Sequence, residues 1–440
     1  MKTSILLIAV LIYCIQNISV QAQGLSLQEA LQKAQENRLD IKIKHYSTEV
    51  SENEIGKINA KNLPQVNADF DMRYNSILQT SILPAAASTS SNGVDVPIKF
   101  GTNYNALLGL NLTQNILNPS NKGDKKIAVA QSEYSKLEKS TTEVMVKQEV
   151  TEAYFSSLLW KEKSKLSIEN VNRTLAIYTT AKNQYQEGTL SQYEMERSRI
   201  DHENALAEHQ KNVQNQYLAM ADLYYKMGTD EIATDSLSDS ITSLYTTFQL
   251  NEKSSEEIKR PELSMEEAQL NIFELNMKKQ NLAYLPTVSF YANYSMQYLN
   301  NDLFPFQSTQ VYPFSYLGLK ASIPLFDGFY KEKNKSEYKI KSQASKLRYE
   351  KLVKDYKQEK NRAQTSIKNA QQDLDFQSKN LTLITSLYKI ETDRLKNGAI
   401  KPNDLTTTYY TLQQTQNNYL NALYNYLIAV VAYKKAEGSL

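Results

Sequence analysis

One cysteine in 440 residues leaves no partner for a disulfide, and three histidines leave little for a metal centre. Cys14 lies in an N-terminal apolar run expected to be removed. The mature chain would then carry no cysteine, which suits export and excludes thiol chemistry. Twelve glycines and ten prolines are few for this length, so long unbroken elements are expected rather than a loop-rich globule. Neither charge sign is in excess: 50 Lys and Arg meet 48 Asp and Glu, and no basic face for nucleic acid is implied. Past the N-terminus no stretch approaches the ~20 apolar residues that a membrane helix needs. P-loop, GxGxxG and GxSxG patterns are missing. His45, His202 and His209, without cysteine or a strong acidic cluster, make a poor metal site and read as solvated surface side chains. The sequence therefore offers no catalytic residue, no cofactor and no metal.

What is present begins with a compartment signal. Met1-Lys2 precede the apolar run Ile5 to Ile15, polar residues follow, and Val20-Gln21-Ala22 closes the segment. This order reads as a secretory signal peptide over residues 1–22. Bulky Tyr13 before Cys14 argues against a lipoprotein cleavage site.

The rest of the chain repeats itself once. Arg38-Leu39-Asp40-Ile41 returns as Arg260-Pro261-Glu262-Leu263, and Leu63-Pro64-Gln65-Val66 as Leu285-Pro286-Thr287-Val288, both 222 residues on. Leu108-Gly109-Leu110 returns as Leu317-Gly318-Leu319 at an offset of 209; Gly188 and Gly228 return as Gly398 and Gly438 at 210. The drop in offset points to one longer loop in the first copy, between Ser76 and Lys99. The organisation expected is a first structural repeat over 23–228, a linker over 229–259 and a second repeat over 260–440.

Within each repeat the hydrophobic period switches from helical to alternating. Strands are expected at about 65–76, 102–114, 287–298 and 315–326. Val66, Ala68, Phe70, Met72 and Tyr74 share one face of the first, with Asn67, Asp69, Asp71, Arg73 and Asn75 opposite. Leu108 and Leu110, then Phe290 and Tyr294, then Leu317 and Leu319 continue the apolar side in the other three. A soluble sandwich is one home for such strands. A transmembrane barrel is the other, and ~10-residue strands, aromatics near the strand ends and a polar inner face favour it. Four strands cannot close in lipid, where an unpaired backbone edge is not tolerated. Two copies would give a side-chain-filled eight-stranded barrel, so a conducting ring needs at least three.

From about 122 to 187 and from about 330 to 397 the chain runs without proline, enough for helical rods of ~100 Å. Their thin apolar content suits burial along narrow seams, as in a tube wall or an exposed coiled coil. Each rod ends at a glycine, Gly188 or Gly398, and a second helix follows, giving helical hairpins whose turns lie at the end away from the strands.

In this order of parts the chain resembles the TolC-type outer-membrane factors over essentially its whole mature length. Asn62-Leu63-Pro64 and Tyr284-Leu285-Pro286 before the strands carry the resemblance, as do Ile323-Pro324-Leu325-Phe326-Asp327-Gly328 after the fourth. So do Gly188 with Glu194-Met195, Gly398 with Asp404-Leu405, and the tail from Tyr424 to Leu440. The resemblance implies a mainly α fold with a small membrane β-barrel contribution: a duplicated helix–strand–strand–long helix–helix unit, trimerised into a twelve-stranded barrel and a twelve-helix tunnel. It implies an outer-membrane location in a Gram-negative bacterium with a long periplasmic portion. The function implied is a passive efflux duct for drugs or other small molecules, and the partners are a periplasmic adaptor and an inner-membrane pump. Gly188, Thr189, Leu190, Gly398, Ala399 and Ile400 would form the adaptor-docking tips. Asp404 matches the first acidic position of the family's pore entrance; Thr407 stands where the next acid would be, and Glu194 is the counterpart of Asp404 in the first repeat. Val66, Phe70, Tyr74, Leu108, Leu110, Phe290, Tyr294, Leu317 and Leu319 would face lipid. Alternatives are the duct of a type I protein secretion system and, in a different class, a non-conducting periplasmic coiled-coil scaffold.

Overall fold

The computed structural model describes residues 24–84, 95–229, 237–248, 260–303 and 311–440. The expected signal peptide lies outside them, as do residues 85–94 and most of the expected linker. The described residues form helices α1 (Leu27–Asn37), α2 (Leu39–Ala60), α3 (Pro119–Gln186), α4 (Gln192–Met227), α5 (Ile241–Thr247), α6 (Pro261–Leu282), α7 (Tyr330–Lys396) and α8 (Pro402–Glu437). The strands are β1 (Gln65–Tyr74), β2 (Gln79–Leu83), β3 (Val96–Phe100), β4 (Tyr104–Leu117), β5 (Thr287–Asn300) and β6 (Val311–Ser322). The chain divides into two compact units. A helical unit takes in the described residues up to Tyr46, Lys136–Met265 and Arg348–Leu440; a sheet unit takes in Ser47–Ser135 and Glu266–Leu347.

α3 and α7 run 68 and 67 residues without a break. Pro119 opens α3, where its missing N–H costs nothing and its fixed φ already suits a helix. Their ends are set by glycine. Gly188 and Gly398 sit at φ +72° and +69°, and Thr189 N–H and Ala399 N–H fold back to the carbonyls of Gln184 and Arg394 at 2.9 and 2.8 Å.

In the helical unit a continuous core gathers Tyr154, Phe155 and Leu158 of α3, Leu223 and Met227 of α4, Ile241 of α5 and Leu423, Leu427 and Val430 of α8. The Arg38/Arg260 repeat becomes a pair of matching joints there. Arg38 N–H groups reach Asp40 at 2.7 Å, Glu149 of α3 at 3.1 Å and the Lys226 carbonyl near the end of α4 at 3.3 Å. Gly228 lies against this joint: a Cβ there would come within 3.0 Å of the Arg38 backbone nitrogen, so α4 and α2 meet end to end beside α3. In the second repeat Arg260 pairs with Glu262 at 3.0 Å and with Glu359 of α7 at 2.7 Å, and its guanidinium stacks 3.8 Å above Tyr356. Glu149 and Glu359 are themselves repeat partners, 210 residues apart.

In the sheet unit β1, β4, β5 and β6 pair antiparallel in that order. β6 begins at Val311 and stops at Ser322 rather than spanning 315–326. Pro313 is tolerated because β6 is an edge strand, while Pro324 cannot continue the ladder. β4 likewise runs to Leu117, past the expected 114. The segment read as one long loop between Ser76 and Lys99 carries the β2–β3 hairpin, with Gln79 opposite Phe100 and Leu83 opposite Val96.

Candidate functional site: an exposed sheet face and two hairpin turns

The pairing register puts every expected lipid-facing residue on one side of the sheet. Phe70 stands opposite Leu108 and Leu108 opposite Met296; Leu110 stands opposite Tyr294, and Phe290 opposite Leu319. Val66 pairs with Leu112, Tyr74 with Tyr104, and Leu317 with Ala292. Most of this side is bare: Val66, Phe70, Leu108, Tyr294, Leu317 and Leu319 are 62, 69, 52, 48, 75 and 68% exposed, and only Ala106 and Tyr298 near one end are buried among its described residues. A sandwich would have buried the six exposed side chains beneath a second layer, so the sandwich alternative does not describe this sheet.

The opposite side is a hydrogen-bonded polar row. Asn111 Nδ2 donates to Asp69, Asn293 Nδ2 to Asn111 Oδ1 at 2.6 Å, and Ser295 Oγ to Asn293 Oδ1 at 2.9 Å, carrying one chain of bonds across three strands. Tyr291 lies over Gly318, its cross-strand partner; a Cβ at 318 would meet the Tyr291 hydroxyl at 2.7 Å. The two outer strands, β1 and β6, each have a second edge with no partner among the described residues.

The hairpin turns belong to the helical unit. Gly188, Thr189, Gly398 and Ala399 are exposed, Ile400 is half-buried and Leu190 is buried. α4 starts with a capping box. Glu194 N–H donates to Ser191 Oγ at 3.3 Å, and the Glu194 carboxylate accepts from the Ser191 N–H at 3.2 Å. In the second repeat Lys401 replaces Ser191, and Asp404 accepts its N–H at 3.0 Å. The Lys401 ammonium crosses to Glu194, 3.2 Å away, and ties the two hairpins together. The Ser191 hydroxyl first, then its N–H and Lys401, holds the Glu194 carboxyl below the usual carboxylate range. Glu194 is thus a paired acid, whereas Asp404 and, one turn on, Thr407 are exposed.

A second tie lies one to two turns deeper. Tyr410 donates its hydroxyl to Asp201 Oδ1 at 2.6 Å. Burial, then this bond, pushes the Tyr410 pKa up. Beside it Tyr409 is 1% exposed, its hydroxyl has no hydrogen-bond partner among the described residues, and burial pushes its pKa up to about 12. Asp201 Oδ2 is buried without a partner as well. Sequence reading missed Lys401, Asp201, Tyr409 and Tyr410. The available signal was the lysine at a cap position that holds serine in the first repeat.

His202 and His209 are not simply solvated. Both are half-buried, with Nδ1 atoms 3.3 Å from Thr174 Oγ1 and 2.8 Å from Ser167 Oγ on α3. Spaced seven residues apart on each of two antiparallel helices, the pairs are seam contacts. Among the described residues no group of three or more His, Cys, Asp or Glu side chains is arranged to hold a metal. No described helix is long and apolar enough to cross a membrane.

Comparison with known proteins agrees with this geometry. No curated protein sequence is similar enough to match. Among solved structures the fold is similar to CusC (TM-score 0.71, 15% identity, 94% of this chain and 93% of that one), whose crystal structures are described in terms of folding and transmembrane channel formation. It is equally similar to the Campylobacter jejuni CmeC outer membrane channel (0.71, 16%, 94% and 85%). The outer membrane protein VceC of Vibrio cholerae is close behind (0.70, 13%, 94% and 96%). The family whose sequence pattern matches is that of the outer membrane efflux proteins, over residues 30–229 and 254–439. With most of its length inside that match, the chain belongs to the outer membrane efflux protein family.

Proposed function

We propose that three copies of this chain close into a twelve-stranded barrel in the outer membrane, continued by a twelve-helix periplasmic tunnel. Together they would form a passive duct for drugs or other small molecules. The observation that carries this reading is the four-stranded sheet with its apolar face largely exposed and both outer edges unpaired among the described residues. In hydrocarbon an exposed apolar face is stable, whereas each unsatisfied backbone group costs several kcal/mol. The edges must therefore be satisfied by sister chains. The helix that leads into β1 and the one that follows β6 carry exposed apolar positions: Leu39, Ile43, Tyr46 and Val50 of α2 are 71, 59, 63 and 64% exposed, and Ile340 and Leu347 of α7 are 62 and 66% exposed. Their i, i+4, i+7, i+11 spacing on α2 gives one apolar stripe ready for a neighbouring helix.

The exposed turns at Gly188 and Gly398 would dock a periplasmic adaptor, and an inner-membrane pump would supply the energy. Lys401–Glu194 and Tyr410–Asp201 would hold the hairpins in a closed arrangement, with Asp404 at the pore entrance. The unpartnered Tyr409 hydroxyl and Asp201 oxygen are costs that a rearrangement on opening can relieve.

Cysteine cross-linking tests the closure. β1 and β6 are separated by two strands at ~4.8 Å spacing, so a disulfide between Asn67→Cys on β1 and a cysteine scanned along residues 312–320 of β6 must join two copies. With Cys14 replaced, denaturing gels are expected to show a ladder ending at three. A ladder ending at two, or no current across a planar bilayer from a trimeric Lys401→Ala/Tyr410→Phe sample in which both hairpin ties are removed, would reject the duct.

A further inference from the structure

The four short connections between helix and strand all enter the sheet at one end. Gln65 of β1 pairs with Thr113 of β4, Val288 of β5 with Leu117, and Thr287 with Ser322 of β6. α2, α3, α6 and α7 thus meet the sheet along a single rim. Side-chain chemistry changes there in a fixed order. Above the rim is the bare apolar face. At the rim Tyr284, Phe326, Phe329 and Tyr330 are 44, 77, 58 and 68% exposed.

Phe329 is the one non-glycine residue at positive φ (+67°) among the described residues. That conformation is unfavourable for a bulky side chain. It leaves the ring exposed and edge-on to Phe326, 5.5 Å away, so backbone strain is accepted to keep an aromatic pair in solvent.

Just past the aromatics come lysines. Lys61 directly follows α2, Lys122, Lys125 and Lys126 lie in the first turns of α3, Lys278 in the last turns of α6, and Lys333 in the first turn of α7. All six are exposed, and none makes an ion pair or side-chain hydrogen bond among the described residues. The nearby acids do not neutralise them: Asp124 is held by Lys279 at 2.5 Å and Asp327 by Lys331 at 3.4 Å, leaving Glu332, Glu274 one turn before Lys278, and Glu133 against six ammonium groups. At 1.5 Å rise per residue the α3 lysines lie within ~15 Å of the end of β4.

Apolar, then aromatic, then cationic is the polarity sequence of one membrane leaflet carrying anionic lipid. We propose that this lysine collar binds the phosphate headgroups of anionic phospholipids in the periplasm-facing leaflet, with their acyl chains against the sheet and the aromatic rim at the interface. The proposal rests on the barrel reading above and adds a lipid class to it. Zwitterionic lipid would satisfy the apolar face equally well but would leave the six ammonium groups without counter-charge. The attraction is electrostatic and close to water, so it weakens as salt shortens the screening length from about 10 Å at 0.1 M to about 3 Å at 1 M.

The test uses the full chain, purified and delipidated in a neutral detergent. Dioleoyl phosphatidylglycerol and dioleoyl phosphatidylcholine are titrated against it separately, and bound lipid is counted by native mass spectrometry. Wild type is expected to prefer phosphatidylglycerol by at least about tenfold at 0.1 M salt, with the preference falling towards unity at 1 M. Lys122→Gln/Lys125→Gln/Lys126→Gln is expected to abolish most of that preference while keeping the wild-type oligomer; the corresponding triple arginine variant is expected to keep it. Equal retention of both lipids by wild type overturns the proposal. So does an undiminished preference in the glutamine variant, or loss of preference in the arginine variant. Failure of wild type to insert into vesicles of either lipid removes the barrel reading itself, an outcome distinct from insertion without lipid preference.

Discussion

In the helical unit Tyr154, Phe155, Leu158 and Leu427 are fully buried, whereas in the sheet unit Phe70, Leu317 and Leu319 remain more than two-thirds exposed. Both units are built from apolar side chains at regular spacing, but their surroundings differ. The helical unit closes its core with its own segments: α1, α5 and α8 cover α3, and Asp239 accepts hydrogen bonds from the Tyr154 hydroxyl at 2.7 Å and the Leu27 N–H at 3.1 Å. The sheet pairs its polar side chains with one another and leaves the apolar ones outside. The helical unit supplies its own core; on the proposed reading the sheet would be completed by lipid and sister chains, and its stability would then belong to the assembly.

The largest expected effect divides the two units directly. Phe155→Ala should destabilise the helical unit by about 3–5 kcal/mol, as expected for emptying a packed core position. Phe70→Ala should leave that unit's urea midpoint unchanged, because Phe70 has no protein core around it. Equal losses from the two changes would erase the distinction. Next in size, Leu110→Arg should cost about 2–4 kcal/mol for folding into phosphatidylcholine vesicles, as at a bilayer midplane. A neutral result would move that face out of lipid.

The two joints should differ modestly. Arg260 is 5% exposed and Arg38 is 13% exposed, so Arg260→Gln should cost more than Arg38→Gln, about 1–3 kcal/mol, on calorimetric unfolding. Tyr410→Phe removes one hydrogen bond to a carboxylate, about 1–2 kcal/mol of hairpin tie. It should raise single-channel conductance in a planar bilayer; unchanged current would mean that the tie does not gate.

The smallest effect concerns pH. The Tyr409 pKa is raised to about 12 when folded, so its contribution to stability is complete below pH 10 and declines as pH rises through 12, where the unfolded tyrosine has already ionised. Tyr409→Phe should flatten that part of the helical unit's stability curve, without loss at neutral pH because the hydroxyl has no partner.

Much of the scaffold was legible because it is local. Proline-free stretches predict long helices, Gly188 and Gly398 mark their ends, and alternation from Val66 to Tyr74 assigns sides of a strand whatever its partner. Strand limits were less legible. The fourth strand was expected from 315, yet β6 already includes Pro313, which an edge strand accommodates, and this depends on where β6 lies in the sheet. The β2–β3 hairpin hid in a stretch rich in small and polar residues that carries no alternation strong enough to announce it.

The site divides along the same line. Residue order by itself determined the duplication, the apolar side of each strand and the acids that follow the two turns, because period and capping chemistry act within a few residues. Only the folded chain decided that Lys401 pairs with Glu194, that Tyr410 reaches Asp201, that Arg38 and Arg260 close equivalent joints, and that the strands bare their apolar side rather than bury it. Those contacts join residues some 100 to 210 positions apart. Helix packing and strand register bring them together, and no local pattern encodes either.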